Sequence, residues 1–154
     1  MLDFICKDTD TLVLFDMDGV LAEYKWGEND LIRAGDVAVY SQKRPIESVI
    51  ATAKELLDSG VQVGILSSCC TLAQRDAKIE WLAKYAPFIK DNLHILVWEQ
   101  LNLSRDKRSY AKGKYMQSLN GYKHIYLIDD KHDVIQCTNE IIPYSAHHIS
   151  EIIR

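Results

Sequence analysis

The chain alternates between short apolar runs and longer stretches in which apolar residues recur every three or four positions. Thr11–Asp16, Val61–Leu66, Leu93–Trp98 and His124–Ile128 read as strands, and Tyr144–His148, just after Pro143, as a fifth. Between them lie helical patterns. Pro45–Ser59 carries Ile46, Val49, Ile50, Ala53, Leu56 and Leu57 at helical spacing, opens on a proline and stops at Gly60. Thr71–Tyr85 offers Leu72, Ile79, Trp81, Leu82 and Tyr85 as core positions and ends near Pro87. Asp106–Leu119 stops at Asn120-Gly121, and Asp133–Glu140 is a shorter helix. Strands such as LVLF and IYLI lack polar alternation, which fits burial on both faces. Strand and helix in alternation predict an α/β fold: a three-layer, Rossmann-like, mainly parallel sheet with helices on both faces.

One stretch breaks the alternation. Leu21–Arg44 is too long for an ordinary connection between a strand and a helix. It is expected to be a flap insertion, either covering a site with its aromatic residues Tyr24, Trp26 and Tyr40 or forming a peripheral β-hairpin. No repeat, low-complexity tract or linker appears, so residues 1–154 read as one domain carrying that flap.

Composition adds exclusions. Hydrophobic residues make up 47% and charged residues 26%, a globular balance. The net charge of −4 argues against broad nucleic-acid binding. No run is long enough for a membrane span, and MLDFICKDTD lacks the basic start and apolar centre of a signal peptide, so a cytoplasmic location is expected. Cys6, Cys69, Cys70 and Cys137 have no C-x-x-C spacing and read as free thiols. The five histidines show no metal-binding spacing.

The chemistry gathers at the strand ends, where parallel sheets bind ligands. The first strand stops at Asp16, followed by Asp18 and Gly19; the second at Ser67, Ser68, Cys69 and Cys70; the fourth at Asp129 and Asp130. Lys107, Lys112 and Lys114 lie on the helix before the fourth strand. Such groups form a phosphoryl-transfer set. An aspartate can attack phosphorus, and a second acid can protonate a leaving oxygen and later activate water. Carboxylates at two strand ends can share Mg²⁺, and a serine and a lysine can hold phosphate oxygens.

Asp16-Met17-Asp18-Gly19-Val20, Ile65-Leu66-Ser67 and the run Ile125–Asp130, in that order, resemble the motifs of the haloacid dehalogenase superfamily of phosphohydrolases. The resemblance covers nearly the whole chain. It implies Asp16 as nucleophile and Asp18 as general acid/base. It also implies a Mg²⁺ shell drawn from Asp16, Asp18 (by its backbone carbonyl), Asp129 and Asp130. Ser67, with Ser68 as backup, would bind phosphate. The family's lysine opens a helix ahead of the acid pair, which favours Lys107, with Lys112 as the alternative. With only Leu21–Arg44 available as a cap, the resemblance is to a nearly capless member, whose site stays open to bulky substrates or is roofed by a second subunit of a homo-oligomer.

DMDGVLAEY further resembles the 5′-nucleotidase and deoxyribonucleotidase branch, with Tyr24 or Trp26 as candidates to stack on a base. The expected function is therefore a Mg²⁺-dependent phosphatase working through an aspartyl-phosphate, with a small phosphorylated substrate and a nucleotide favoured. Sugar phosphates and nucleic-acid ends are alternatives. A non-enzymatic phosphate-binding or phosphoacceptor domain is the rival from another class.

Overall fold

The computed structural model describes residues 2–153. Five strands, β1 (Thr11–Phe15), β2 (Gln62–Cys69), β3 (Leu93–Val97), β4 (His124–Asp129) and β5 (Ala146–His148), form one all-parallel sheet in the order β3-β2-β1-β4-β5. β1 is central and buried throughout, as its uninterrupted apolar run requires. Its alternate residues serve two cores. Val13 and Phe15 pack with Val49, Ile50 and Ala53 of one helix and with Trp81 and Leu82 of another. Leu12 and Leu14 pack on the opposite face with Ala111, Met116 and Val134. The result is the expected three-layer, Rossmann-like architecture.

The helices are α1 (Glu28–Arg33), α2 (Ala38–Ser41), α3 (Glu47–Asp58), α4 (Leu72–Tyr85), α5 (Trp98–Leu101), α6 (Arg108–Gln117) and α7 (His132–Ile141). β2 runs three residues beyond its expected end, through Cys69, because Ser67, Ser68 and Cys69 pair with β3. Trp98 opens α5 rather than closing β3, and a 3₁₀ turn over Arg105–Lys107 precedes α6. The α4 stripe also differs from expectation. Leu72 and Ile79 are each 38% exposed, while Gln74, Lys78, Trp81 and Leu82 are buried. Thr71 starts this helix with a capping box: its hydroxyl accepts from Gln74 N–H while the Gln74 side chain accepts from Thr71 N–H.

Residues 21–44 form neither strand pair nor open loop but the short helices α1 and α2, lying on α4. Gln74 Nε2 donates to the carbonyls of Ile32 (2.8 Å) and Asp36 (3.3 Å), and Trp81 Nε1 donates to that of Lys43 (3.0 Å). The flap closes where Glu23 N–H donates to Arg44 O (2.8 Å) and Ile46 N–H to Leu21 O (2.7 Å). Among the described residues no helix is long and apolar enough to cross a membrane.

Candidate active site

The chain runs outward from β1 to β2 and β3, then crosses back to β4 and β5, so strand order reverses beside β1. The crevice at such a reversal, at the carboxyl ends of the strands, is where parallel sheets place their sites. Asp16 immediately follows β1, Ser67 lies within β2 and Asp129 ends β4. Each has almost no solvent exposure. After Asp16 the chain makes a tight turn in which Met17 O accepts from Leu21 (2.9 Å) and Ala22 (2.8 Å) N–H, and this turn presents Asp18. Gly19 has φ +78°, and a Cβ there would stand 2.3 Å from Asp130 Oδ2. Only glycine lets this turn approach the Asp130 carboxylate.

Two buried groups of charge result. In the first, Lys112 Nζ lies 2.6 Å from Asp129 Oδ2 and 3.0 Å from Asp16 Oδ2. The remaining oxygens are also held: Asp16 Oδ1 accepts from Met17 N–H (2.7 Å) and Asp129 Oδ1 from Lys131 N–H (2.9 Å). In the second, Asp18 is gripped on both oxygens, by Lys43 Nζ at 2.8 Å and Lys78 Nζ at 2.6 Å. Lys78 Nζ also donates to Ser67 Oγ (2.9 Å) and Ser68 O (2.7 Å). Lys43 reaches back to the buried Glu28 of the flap at 2.7 Å. The Tyr40 ring lies over both ammonium groups, 5.9 Å from Lys43 and 5.3 Å from Lys78.

The charges decide the protonation states. Burial alone would raise the Asp16 carboxyl, but the ammonium groups of Lys112 and Lys78 outweigh it and hold Asp16 below its ordinary value. Burial likewise opposes ionisation of Asp18, and Lys78 and Lys43 overcome it, holding that carboxyl at about 2. Asp130 has no such partner. Burial, then the neighbouring Asp16 and Asp129 charges, push it up to about 6.

Asp16, Asp129 and Asp130 can each offer an oxygen within 4.8 Å of the other two. Asp130 Oδ1 is buried without a hydrogen-bond partner. Crowded carboxylates, one with an orphaned oxygen, suit a hard divalent cation that prefers oxygen ligands, so the residues present fit Mg²⁺. A second group, Cys6, Asp8 and His124, also brings three potential ligands together. It lies at the amino-terminal end of the sheet, away from this site.

Asp16, Asp18, Ser67, Ser68, Asp129 and Asp130 therefore come together, and two expectations need correction. Lys107 does not reach the site: it is exposed on the 3₁₀ turn ahead of α6. Lys112 takes that place because it lies within α6, on the face turned to the sheet, beside the buried Ala111 and Gly113. Trp26, at 99% exposure, projects into solvent and is not positioned against the site; Tyr24, 48% exposed, stands at the rim with its ring 6.0 Å from Lys43 Nζ. Asp18, expected as general acid/base with its backbone carbonyl on Mg²⁺, has its side chain outside the metal-capable cluster and held ionised by two lysines.

Lys43 and Lys78 escaped the sequence reading. Lys78 had a usable signal, since Trp81 and Leu82 follow it at i+3 and i+4, on the same helix face. Lys43 had none, because it lies in irregular chain just after α2.

No protein-family model matches the chain, and no curated protein matches it. Solved structures do. A chain of the Pnkp1/Rnl/Hen1 complex superposes with a TM-score of 0.67 at 21% identity, over 96% of this chain and 49% of that one. A chain of the Pnkp1/Rnl/Hen1 RNA repair complex gives a TM-score of 0.69 at 21% identity, over 94% and 44%. The present chain thus spans less than half the length of either, and the likeness is one of fold.

Proposed function

We propose that this chain is a Mg²⁺-dependent phosphatase of the haloacid dehalogenase type, hydrolysing a phosphomonoester through an aspartyl-phosphate on Asp16. The observation that carries this reading is the state of Asp16. It is a buried carboxylate held ionised at the end of the central strand, paired with Lys112 and grouped with the metal-capable Asp129 and Asp130. When bound at Asp16, Asp129 and Asp130, Mg²⁺ supplies the charge that lets an anionic nucleophile meet an anionic phosphate.

The chain's own residues do the rest. An Asp16 oxygen attacks phosphorus, the bond to the leaving oxygen breaks, and the phosphoryl group stays on Asp16. Water then attacks that phosphorus, the P–O bond to Asp16 breaks, and phosphate leaves. Ser67 Oγ and Lys78 Nζ, already 2.9 Å apart, hold phosphate oxygens. Lys112 fixes Asp16 and keeps it charged. Ionised Asp18 is ready as the base that takes a proton from the attacking water. Its acid role depends on the substrate. A phosphate dianion competes with Asp18 for Lys78 and Lys43; as they turn to phosphate the Asp18 proton affinity rises, Asp18 takes up a proton from solvent and passes it to the leaving oxygen, which leaves Asp18 ionised as the base for the second step.

A nucleotide fits this reading as substrate. A phosphorylated nucleic-acid end is the second reading, favoured by the fold shared with chains of an RNA repair complex. Phosphate release from para-nitrophenyl phosphate and from nucleotide and sugar-phosphate panels, with Mg²⁺ and with EDTA, tests the activity. Wild type should turn over with Mg²⁺ alone and Asp16→Asn should not. If both proteins are equally inert across the panels, the enzyme reading is wrong.

A further inference from the structure

A cavity of about 210 Å³ opens beside the site on the α6–α7 side, lined by Ser68, Trp98, Arg108, Lys112 and Lys131 among others. It shares Lys112 with the reactive carboxylates, so it adjoins the place of a substrate phosphate at Asp16. Its cations differ in how they are committed. Lys112 is spent on Asp16 and Asp129. Arg108 is four residues earlier on α6 and makes no ion pair among the described residues, and its buried Nε has no hydrogen-bond partner. Its guanidinium rests 5.1 Å from the Trp98 ring centroid, which holds the fork in place without using its donors. Lys131 also lines the cavity and is exposed, its backbone N–H fixed to Asp129. The carboxylate in the lining, Asp133, accepts from Ser109 Oγ at 2.7 Å and pairs with neither cation.

Resting on the phosphatase reading, we propose that this cavity is a second anion subsite, and that the preferred substrate carries a second phosphoryl or phosphodiester group near the phosphate it loses. A planar guanidinium with free donors matches the paired oxygens of a phosphate, and a preorganised fork loses little freedom on binding one. Arg108 and Lys112 stand at i and i+4, neighbours on one face of α6, and both line the cavity, so the subsite adjoins the reacting phosphate within the reach of one nucleotide. A nucleoside 3′,5′-bisphosphate and the phosphorylated end of a nucleic-acid strand both have this chemistry. A simple sugar monophosphate does not.

The test compares kcat/KM of the full chain with Mg²⁺ on three substrates sharing one nucleoside: the monophosphate (as 3′ and 5′ isomers), the 3′,5′-bisphosphate, and a short oligonucleotide ending in that phosphate. A second charge-assisted contact predicts a preference of about tenfold or more for the doubly anionic substrates. Arg108→Gln should collapse that ratio towards one, and Arg108→Lys should restore it only in part. The wild-type ratio stands alone should a variant fold poorly. A preference for the bisphosphate alone assigns the subsite to a terminal phosphate; a matching preference for the oligonucleotide assigns it to a diester. Equal turnover of mono- and bisphosphates, unchanged in Arg108→Gln, overturns the subsite and leaves the phosphatase reading intact. Absence of turnover on every substrate overturns both.

Discussion

Replacing Lys112 by methionine should be among the most damaging single changes this chain can undergo. The Lys112 side chain is 4% exposed, and its ammonium serves two carboxylates, Asp129 at 2.6 Å (0% exposed) and Asp16 at 3.0 Å (7% exposed). Methionine keeps most of the apolar stem, so little cavity is created. The charge is what disappears. Removing one partner of a buried ion pair costs about 3–5 kcal/mol, because the other partner is left uncompensated. A domain's whole stability is only ~5–15 kcal/mol. At ~2–4 °C per kcal/mol for a chain of this size, Lys112→Met should melt about 6–20 °C below wild type. The measurement is thermal unfolding followed by circular dichroism, at pH 7.5 in EDTA. The deficit should narrow at lower pH, where the two stranded carboxyls can take up protons, and with Mg²⁺, which returns a cation to them. Lys107→Met, five positions away and exposed, should melt within ~1 °C of wild type. The reasoning is refuted if Lys112→Met in EDTA melts within ~2 °C of wild type, or if the two variants lose equal amounts.

Three further outcomes follow from the same charges. Asp130, pushed up to about 6, is a raised acid: in the metal-free fold it contributes stability that is present below its ordinary value and lost as pH climbs through 6. Mg²⁺ prefers the ionised form, so the gain in Tm on adding Mg²⁺ should be larger at pH 7.5 than at pH 5, and equal gains would contradict it. Gly19→Ala places a Cβ 2.3 Å from Asp130 Oδ2 at φ +78°, and should cost about 1–3 kcal/mol in denaturant unfolding while abolishing most of the Mg²⁺-induced shift. Lys43→Met strands the buried Glu28, so it should cost ~3 kcal/mol, and adding Glu28→Gln to it should recover part of that loss in a double-mutant cycle.

The parts of the fold that the sequence made legible share one property: their apolar pattern is set by what they pack against. β1 is buried throughout, and β2 over Val63–Ser67 and β4 over Leu127–Asp129, so the apolar runs there lacked polar alternation. The ends of those strands carried the acids, and the sheet brought them together. Lysine was harder to read because its usual place is solvent and its stem tolerates either environment. Lys107 and Lys112 look alike in the chain; only the rotation of α6, and the start of that helix after Lys107, turns one towards Asp129 and leaves the other outside. Gln74 and Lys78 occupy the inner face of α4, where an apolar residue would be expected, because the flap and Asp18 need their donors there. Residues 21–44 gave no periodicity because they hold two helices too short to show any, secured mainly by side chains from α4.

The flap carries its own counterion, and that determines how it can move. Lys43 and Glu28 are both flap residues, both buried and 2.7 Å apart, so they can leave the site together as a unit of zero net charge. Lys78 belongs to the scaffold helix and would stay with Asp18. Lifting the flap would therefore break one ion pair without abandoning a lone ammonium or a lone carboxylate in a low-dielectric interior. The hinge points are the two backbone contacts that close the insertion, Glu23 to Arg44 and Ile46 to Leu21. Built this way, the insertion can act as a door at the cost of a single ion pair, Lys43–Asp18, together with the α4 hydrogen bonds to its carbonyls and the Lys78–Tyr40 contact.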